Sequence, residues 1–162
     1  MTVRQAVRAV LVDPDGAVFL MRVVEPVTRS RWWVAPGGGI DGDEDHLTAL
    51  CREVSEELGH ELAPEAVGPA VWERHVVLTW NGRQIPQFET YYLVRCDRFD
   101  PPLCRDGDGQ DDDGYVAAVP KWWTSAELRD PPPGDNIVPV DLADLLDRLV
   151  ADGPPPSPIT VT

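Results

Sequence analysis

Basic residues are scarce in this chain and nowhere clustered. Fourteen Lys and Arg stand against 28 Asp and Glu, a formal net charge of −14. DNA and RNA are bound by Lys/Arg clusters that displace counterions, so a nucleic-acid polymer is not the expected partner. Long apolar runs are missing too. None approaches the roughly 18 residues needed to cross a bilayer, so no membrane partner is expected. The opening "MTVRQAVRAVLVDPDG" lacks a signal-peptide layout, because its apolar stretch runs into a turn and then a second apolar stretch. Cysteine is limited to Cys51, Cys96 and Cys104, an odd number with no C-x-x-C pair. That usage suits a reducing compartment and predicts core positions for Cys51 and Cys96. The expectation is a soluble cytoplasmic domain without internal repeats.

What is present is one domain's worth of chain, 162 residues of which 43% are hydrophobic. Such a length buries roughly 70% of its unfolded surface, enough for a core. "VRAVLVDPDGAVFLMRVV" predicts a hairpin around Asp13-Pro14-Asp15-Gly16, and "WWVAP" a short strand before three glycines. "AVWERHVVLTW" and "FETYYLVRC" predict a second hairpin turning at Asn81-Gly82, with Pro86 placing the return strand at an edge or bulge. "DRFDPPLCRDGDGQDDDG" and "PPPGDNIVP" read as irregular, and "YVAAVPKWW" as a strand. Thr124 and Glu127 form a capping box for a short helix. A last amphipathic helix capped by Asp141 carries Leu142, Leu145, Leu146 and Leu149 on one face, packed on the sheet. Residues 3–150 are the expected domain and residues 151–162 a disordered tail. Strands alternating with helices make the fold class α/β or α+β, around a mixed sheet.

A helix is predicted after the glycines, with Asp43 as N-cap and Gly59 as left-handed C-terminal residue. Leu47, Leu50, Cys51, Val54 and Leu58 make its core stripe. Glu53, Glu56 and Glu57 fall outside that stripe at i, i+3 and i+4, and Arg52 precedes Glu56 by one turn. Taken alone, the three glutamates describe a solvated acidic face, whose repulsion costs only a few tenths of a kcal/mol per pair. The alternative is a hard-cation site, because Mg²⁺ takes oxygen ligands and shares one or two carboxylates with substrate phosphates.

The spacing decides between them. Gly38, five residues, Glu44, seven residues and then "REVSEELGH" closely resembles the Nudix box of the MutT-like hydrolases, G-x5-E-x7-R-E-U-x-E-E-x-G-U. Gly38, Glu44, Arg52, Glu53, Val54, Glu56, Glu57 and Gly59 all match, and only His60 departs, where an aliphatic residue is usual. The resemblance implies an α/β/α sandwich and divalent-metal-dependent hydrolysis of a nucleoside diphosphate linked to another moiety. By resemblance, Glu56 and Glu57 are ligands for Mg²⁺ or Mn²⁺, with Glu53 a further ligand or the general base. The carbonyl of Gly37 or Gly38 completes the metal shell, while Glu44, Arg52 and Gly59 shape the motif. Asp111, Asp112, Asp113 and Glu89 are candidates for an additional acid from outside the box. The partner implied is a nucleotide-type small molecule, and a homodimer is common in the family. One or two of the six tryptophans are expected in a substrate pocket. The rival reading is a catalytically silent Nudix-type binding or regulatory module. Such modules usually lack a box glutamate, and this chain keeps all of them.

Overall fold

The computed structural model describes residues 2–100 and 117–162. Strand β1 (Arg4–Val12) lies at the centre of the sheet. It pairs antiparallel with β2 (Val18–Val24) at its C-terminal end and with β4 (Gly37–Gly39) along its N-terminal half. Parallel pairing with β6 (Arg83–Arg95) runs along all of it, from Arg4 opposite Gln87 to Val12 opposite Arg95. Around this centre stand β3 (Arg31–Val34), β5 (Val67–Trp80), β7 (Ala117–Trp123), β8 (Asp135–Ile137) and β9 (Ile159–Val161). The path is β8-β3-β2-β1-β6-β5-β9, with β7 on β2. The mixed sheet anticipated from the strand-helix alternation is therefore present.

Alternation along β1 divides the core in two. Val7, Ala9 and Leu11 face helix α1 (His46–Leu58), packing with Ala49, Leu50, Val54 and Leu58. Val10 and Val12 face the other way, towards helix α3 (Leu142–Asp152) and its four buried leucines. Each such leucine contributes about 2 kcal/mol, an upper figure because unfolded chains already bury some surface. Helix α2 (Ser125–Arg129) starts at Thr124 with the reciprocal capping box read from the sequence. No helix among the described residues is long and apolar enough to cross a membrane.

Both predicted hairpins form. Asn81 and Gly82 turn the second one with φ of 49° and 72°, the positive pair that a tight two-residue turn demands. Pro86 sits opposite Val77 in regular register, at the start of β6 before its pairing with β1 begins, so its missing N–H breaks no ladder to β1.

Several expectations are corrected. The N-cap of α1 is Asp45, whose carboxylate accepts the Thr48 amide at 2.7 Å, and Asp43 lies in the preceding turn. Leu47 is exposed at 39%, its place on the core face taken by Ala49. Asp141 stands at the N-cap of α3 without a side-chain capping bond. The "PPPGDNIVP" stretch contains β8, paired with β3 because Asp135 binds the Arg31 side chain and accepts from the Trp33 indole at 2.9 Å. The tail is ordered as well: β9 pairs with β5 and buries Val161 to 6% exposure, and the Val140 amide donates to the Thr162 carbonyl. A short β-rich run, "ITV", behind a proline stretch carries too little pattern to identify as a strand. Cys51 and Cys96 are half-buried against the α1-side core. Cys104, Asp111, Asp112 and Asp113 lie outside the described residues.

Candidate active site

Arg52 organises the box. Its Nε donates to Glu44 Oε2 at 3.2 Å and its Nη2 binds the other Glu44 oxygen and the Gly39 carbonyl. Its Nη1 donates to Glu53 at 2.9 Å and to Glu56 at 3.4 Å. Glu44 also accepts the Asp41 amide at 2.8 Å, closing the loop before α1. These Arg52 and Asp41 bonds hold the Glu44 carboxyl below the ordinary carboxylate range. Gly59 ends the helix in the left-handed conformation, φ 60°, with its amide on the Ser55 carbonyl. Thus Glu44, Arg52 and Gly59 make contacts internal to the motif.

The glycine strand meets the glutamates directly. The Gly37 amide donates to Glu57 Oε2 at 3.0 Å. A Cβ on Gly38 would stand 2.5 Å from Glu53 Cδ, so only glycine lets that carboxylate lie against the strand. Gly37 has φ of 142°, and a Cβ there would overlap the Val7 carbonyl. Burial pushes the Glu53 carboxyl up, against the opposing pull of Arg52. Glu56 is more open, its side chain 60% exposed against 15% for Glu53. Among the described residues no group of three or more His, Cys, Asp or Glu side chains is placed to hold a metal ion by itself. The oxygen donors near one another are instead carboxylates seated against glycine backbone, Glu57 on the Gly37 amide and Glu53 beside Gly38. That chemistry fits Mg²⁺ or Mn²⁺, which keep positions for water and phosphate oxygens.

Glu89 is brought near the box but not into it. It is 2% exposed. Its Oε1 accepts from Arg8 Nε at 3.2 Å, Arg8 Nη2 at 3.1 Å and Gln87 Nε2 at 2.8 Å. Its Oε2 accepts from Arg74 Nη1 at 3.1 Å and Tyr91 Oη at 2.8 Å. Five protein donors fill the roughly four lone-pair sites of a carboxylate, leaving none for an added ligand. Burial opposes its charge, but Arg8, Arg74 and the Tyr91 hydroxyl outweigh burial and hold the carboxyl below its usual value. Burial and the Glu89 charge push the Tyr91 phenol strongly upward in turn.

This network borders a cavity of about 490 Å³ lined by Arg8, Arg74, Glu89, Tyr91, Trp32 and Trp80 among others. Trp33, Trp72 and Trp123 are core residues instead. His46 binds the Tyr92 hydroxyl at 2.7 Å, and His60 stacks on Phe99 with ring centres 4.4 Å apart. The sequence reading missed Arg8, Arg74 and Gln87. A signal was available: Arg4 and Arg8 alternate with Val7 and Ala9 on a central strand, where a buried charge has to find a partner.

A family model of the NUDIX domain matches residues 2–142. A Pelagibacter ubique relative named RNA pyrophosphohydrolase is 29% identical over 101 residues, covering 59% of this chain and 63% of its own. The chain therefore spans less than two thirds of that relative's length. A Mycobacterium tuberculosis relative named putative 8-oxo-dGTP diphosphatase 2 is 31% identical over 137 residues, 83% of this chain and 85% of its own. Among solved structures, a MutT protein from Methanosarcina mazei Go1 matches with a TM-score of 0.64 at 18% identity, covering 91% of this chain and 93% of that one. The E. coli ORF135 protein matches at 0.60 and 22%, covering 93% of each. At these identities the structural likeness is one of fold.

Proposed function

The chain belongs to the NUDIX domain family, and on that premise we propose that it is a nucleotide pyrophosphohydrolase dependent on Mg²⁺ or Mn²⁺. The bond cut is a phosphoanhydride in a nucleoside diphosphate linked to another moiety. The observation that carries this reading is the seating of Glu57 on the Gly37 amide and of Glu53 against Gly38. Glu56 and Glu57 would hold the cation, with a carbonyl of Gly37 or Gly38 and with Glu53 as a further ligand or as the general base. When bound, it would screen the diphosphate charge and acidify a water for attack at phosphorus. Where Glu53 is not itself a ligand, its carboxylate, seated against Gly38, would take the proton from that water. Arg52 keeps Glu53 and Glu56 oriented through its fork.

The cavity is the seat we assign to the group attached to the diphosphate. Its volume lies within the roughly 300–1,000 Å³ of small-molecule sites. Trp32 and Trp80 supply ring surface for a base. The names of the relatives, RNA pyrophosphohydrolase and putative 8-oxo-dGTP diphosphatase 2, agree on a phosphoanhydride as the bond cut and differ on what carries it, an RNA in one and a nucleotide in the other. Hydrolysis of a panel of nucleoside di- and triphosphate compounds with Mg²⁺, Mn²⁺ or EDTA, for the parent and Glu57→Gln, tests the reading. Metal-dependent turnover that collapses in the variant supports it. Unchanged turnover in Glu57→Gln refutes the site, and metal binding without turnover on any compound favours a binding module.

A further inference from the structure

Buried charge needs a reason, since replacing a buried ion pair by apolar residues of equal volume is often neutral or stabilising. Arg8 and Glu89 are such a pair, with side chains 5% and 2% exposed. Their geometry supplies a reason other than stability. While Nε and Nη2 of Arg8 grip Glu89, Nη1 points to β4 and donates to the Ala35 carbonyl at 3.2 Å and the Gly37 carbonyl at 3.3 Å. Gly37 is the residue whose amide holds Glu57. It is therefore gripped at both ends, by a box carboxylate on its N–H and by a buried guanidinium on its C=O. Arg4 joins the same network and lies beside the glycine strand: its Nη1 donates to Gln87, Gln87 donates to Glu89, and a Cβ on Gly39 would stand 2.8 Å from its Nη2.

We propose that Arg8 and Glu89 are positioning residues for the glutamate site, Glu89 fixing the Arg8 fork and Arg8 fixing the Gly37 backbone against Glu57. This rests on the metal-site reading above. Glu89 thus serves the reaction from behind the glycine strand, through two intervening residues. The same hub forms part of the cavity wall, since Arg8, Arg74 and Glu89 all line it. A group bound in the cavity therefore abuts the brace that sets the carboxylates.

The test is Mn²⁺ binding, by the spin-resonance signal of the free ion, to the parent, Arg8→Lys, Glu89→Gln, Asp13→Asn and Glu57→Gln, together with the Gly37 amide resonance of each protein without metal. Arg8→Lys keeps a cation for Glu89 but loses the planar fork that spans carboxylate and carbonyls. It is expected to weaken Mn²⁺ binding about 10-fold, the lower end for a group that orients a ligand, and to shift the Gly37 amide. Glu89→Gln is expected to do the same where it folds. Asp13→Asn, at the first hairpin, removes the carboxylate bound by the Ala17 amide and Arg98 without touching Arg8, Glu89 or the glutamates. It is expected to move neither readout, which separates positioning from loss of stability. Mn²⁺ affinity lost in Glu57→Gln but unchanged in Arg8→Lys overturns the positioning role alone. Absence of Mn²⁺ binding by the parent, or binding unaffected by Glu57→Gln, overturns the metal reading and this proposal with it.

Discussion

Glu57 and Gly37, separated by 20 positions in the chain, are joined by a hydrogen bond of 3.0 Å between carboxylate and backbone amide. The bond ties the helix to the glycine strand. Glu57→Gln retains an acceptor for the Gly37 amide but removes the charge. Turnover should fall by at least about 100-fold, the scale of losing one general acid–base or metal-linked group. The melting temperature should shift by no more than a few degrees, because the surrounding helix face is unchanged. Steady-state kinetics beside thermal unfolding check both halves of this expectation.

Gly38 offers a complementary variant, because its backbone is in no region reserved for glycine and only its surroundings forbid a side chain. In Gly38→Ala the new Cβ would meet the Glu53 carboxylate at about its carbon, forcing that group aside. Displacement of a reacting group by about 1 Å costs on the order of 100-fold in rate. The prediction is a folded protein with kcat reduced by about 10- to 100-fold and KM changed much less. A variant with undiminished kcat would mean that Glu53 does not act from this position.

The contacts within the box were legible in the sequence because they are local: Glu53, Glu56, Glu57 and Arg52 sit within two turns of one helix, and helical spacing fixes their neighbours. The Glu89 hub was not, since Arg8, Arg74 and Glu89 meet only through the register of β1, β6 and β5. Strand pairing sets that register, and single-strand alternation does not reveal it. The same limit hid β8 and β9, three-residue strands that exist by virtue of the partner they dock on. Asp45 was passed over for Asp43 because both are capping residues by type, and only the reach of one carboxylate to the Thr48 amide separates them.

His60, the one departure from the box pattern, has its own packing partner. Its ring lies flat on Phe99, interplanar angle 10°, at the position where the box pattern has an aliphatic residue. His60→Ala should cost about 0.5–1.5 kcal/mol, the range of an aromatic pair. His60→Leu should recover most of that loss, because an apolar side chain of similar size covers the same ring. Neither change should alter metal-dependent kcat by more than about two-fold. Denaturant unfolding of the three proteins decides it.

The ordered tail predicts that truncation is not neutral. Removing residues 158–162 exposes the β5 edge at Trp72 to Arg74 and deletes buried Val161. Burial of one valine is worth about 1.5–3 kcal/mol. At about 2–4 °C per kcal/mol for a chain of this size, the melting temperature should fall by about 3–12 °C. A truncated protein that melts with the parent would mean β9 contributes no net stability.

Acid stability has a separate anchor at the first hairpin. Asp13 accepts the Ala17 amide at 2.8 Å and the Asp15 amide at 3.0 Å, and its other oxygen meets Arg98 Nη2 at 2.8 Å. Burial works against its charge, yet the two amides and the guanidinium outweigh burial and hold the carboxyl below its ordinary value. A depressed folded-state pKa means stabilisation that is fully present above the unfolded value, about 3.9, and is lost as pH falls through the folded one. Arg98 is half exposed at 52%, so salt screens its share, while the backbone bonds are not screened in the same way. Asp13→Asn should therefore lower stability at pH 7 by about 1–2 kcal/mol, with only part of the gap closing in 1 M salt. The gap should narrow steadily below about pH 4 as the parent's Asp13 takes up its proton. Unfolding curves for both proteins across that pH range test the assignment, and a gap independent of pH would place the stabilisation on groups other than Asp13.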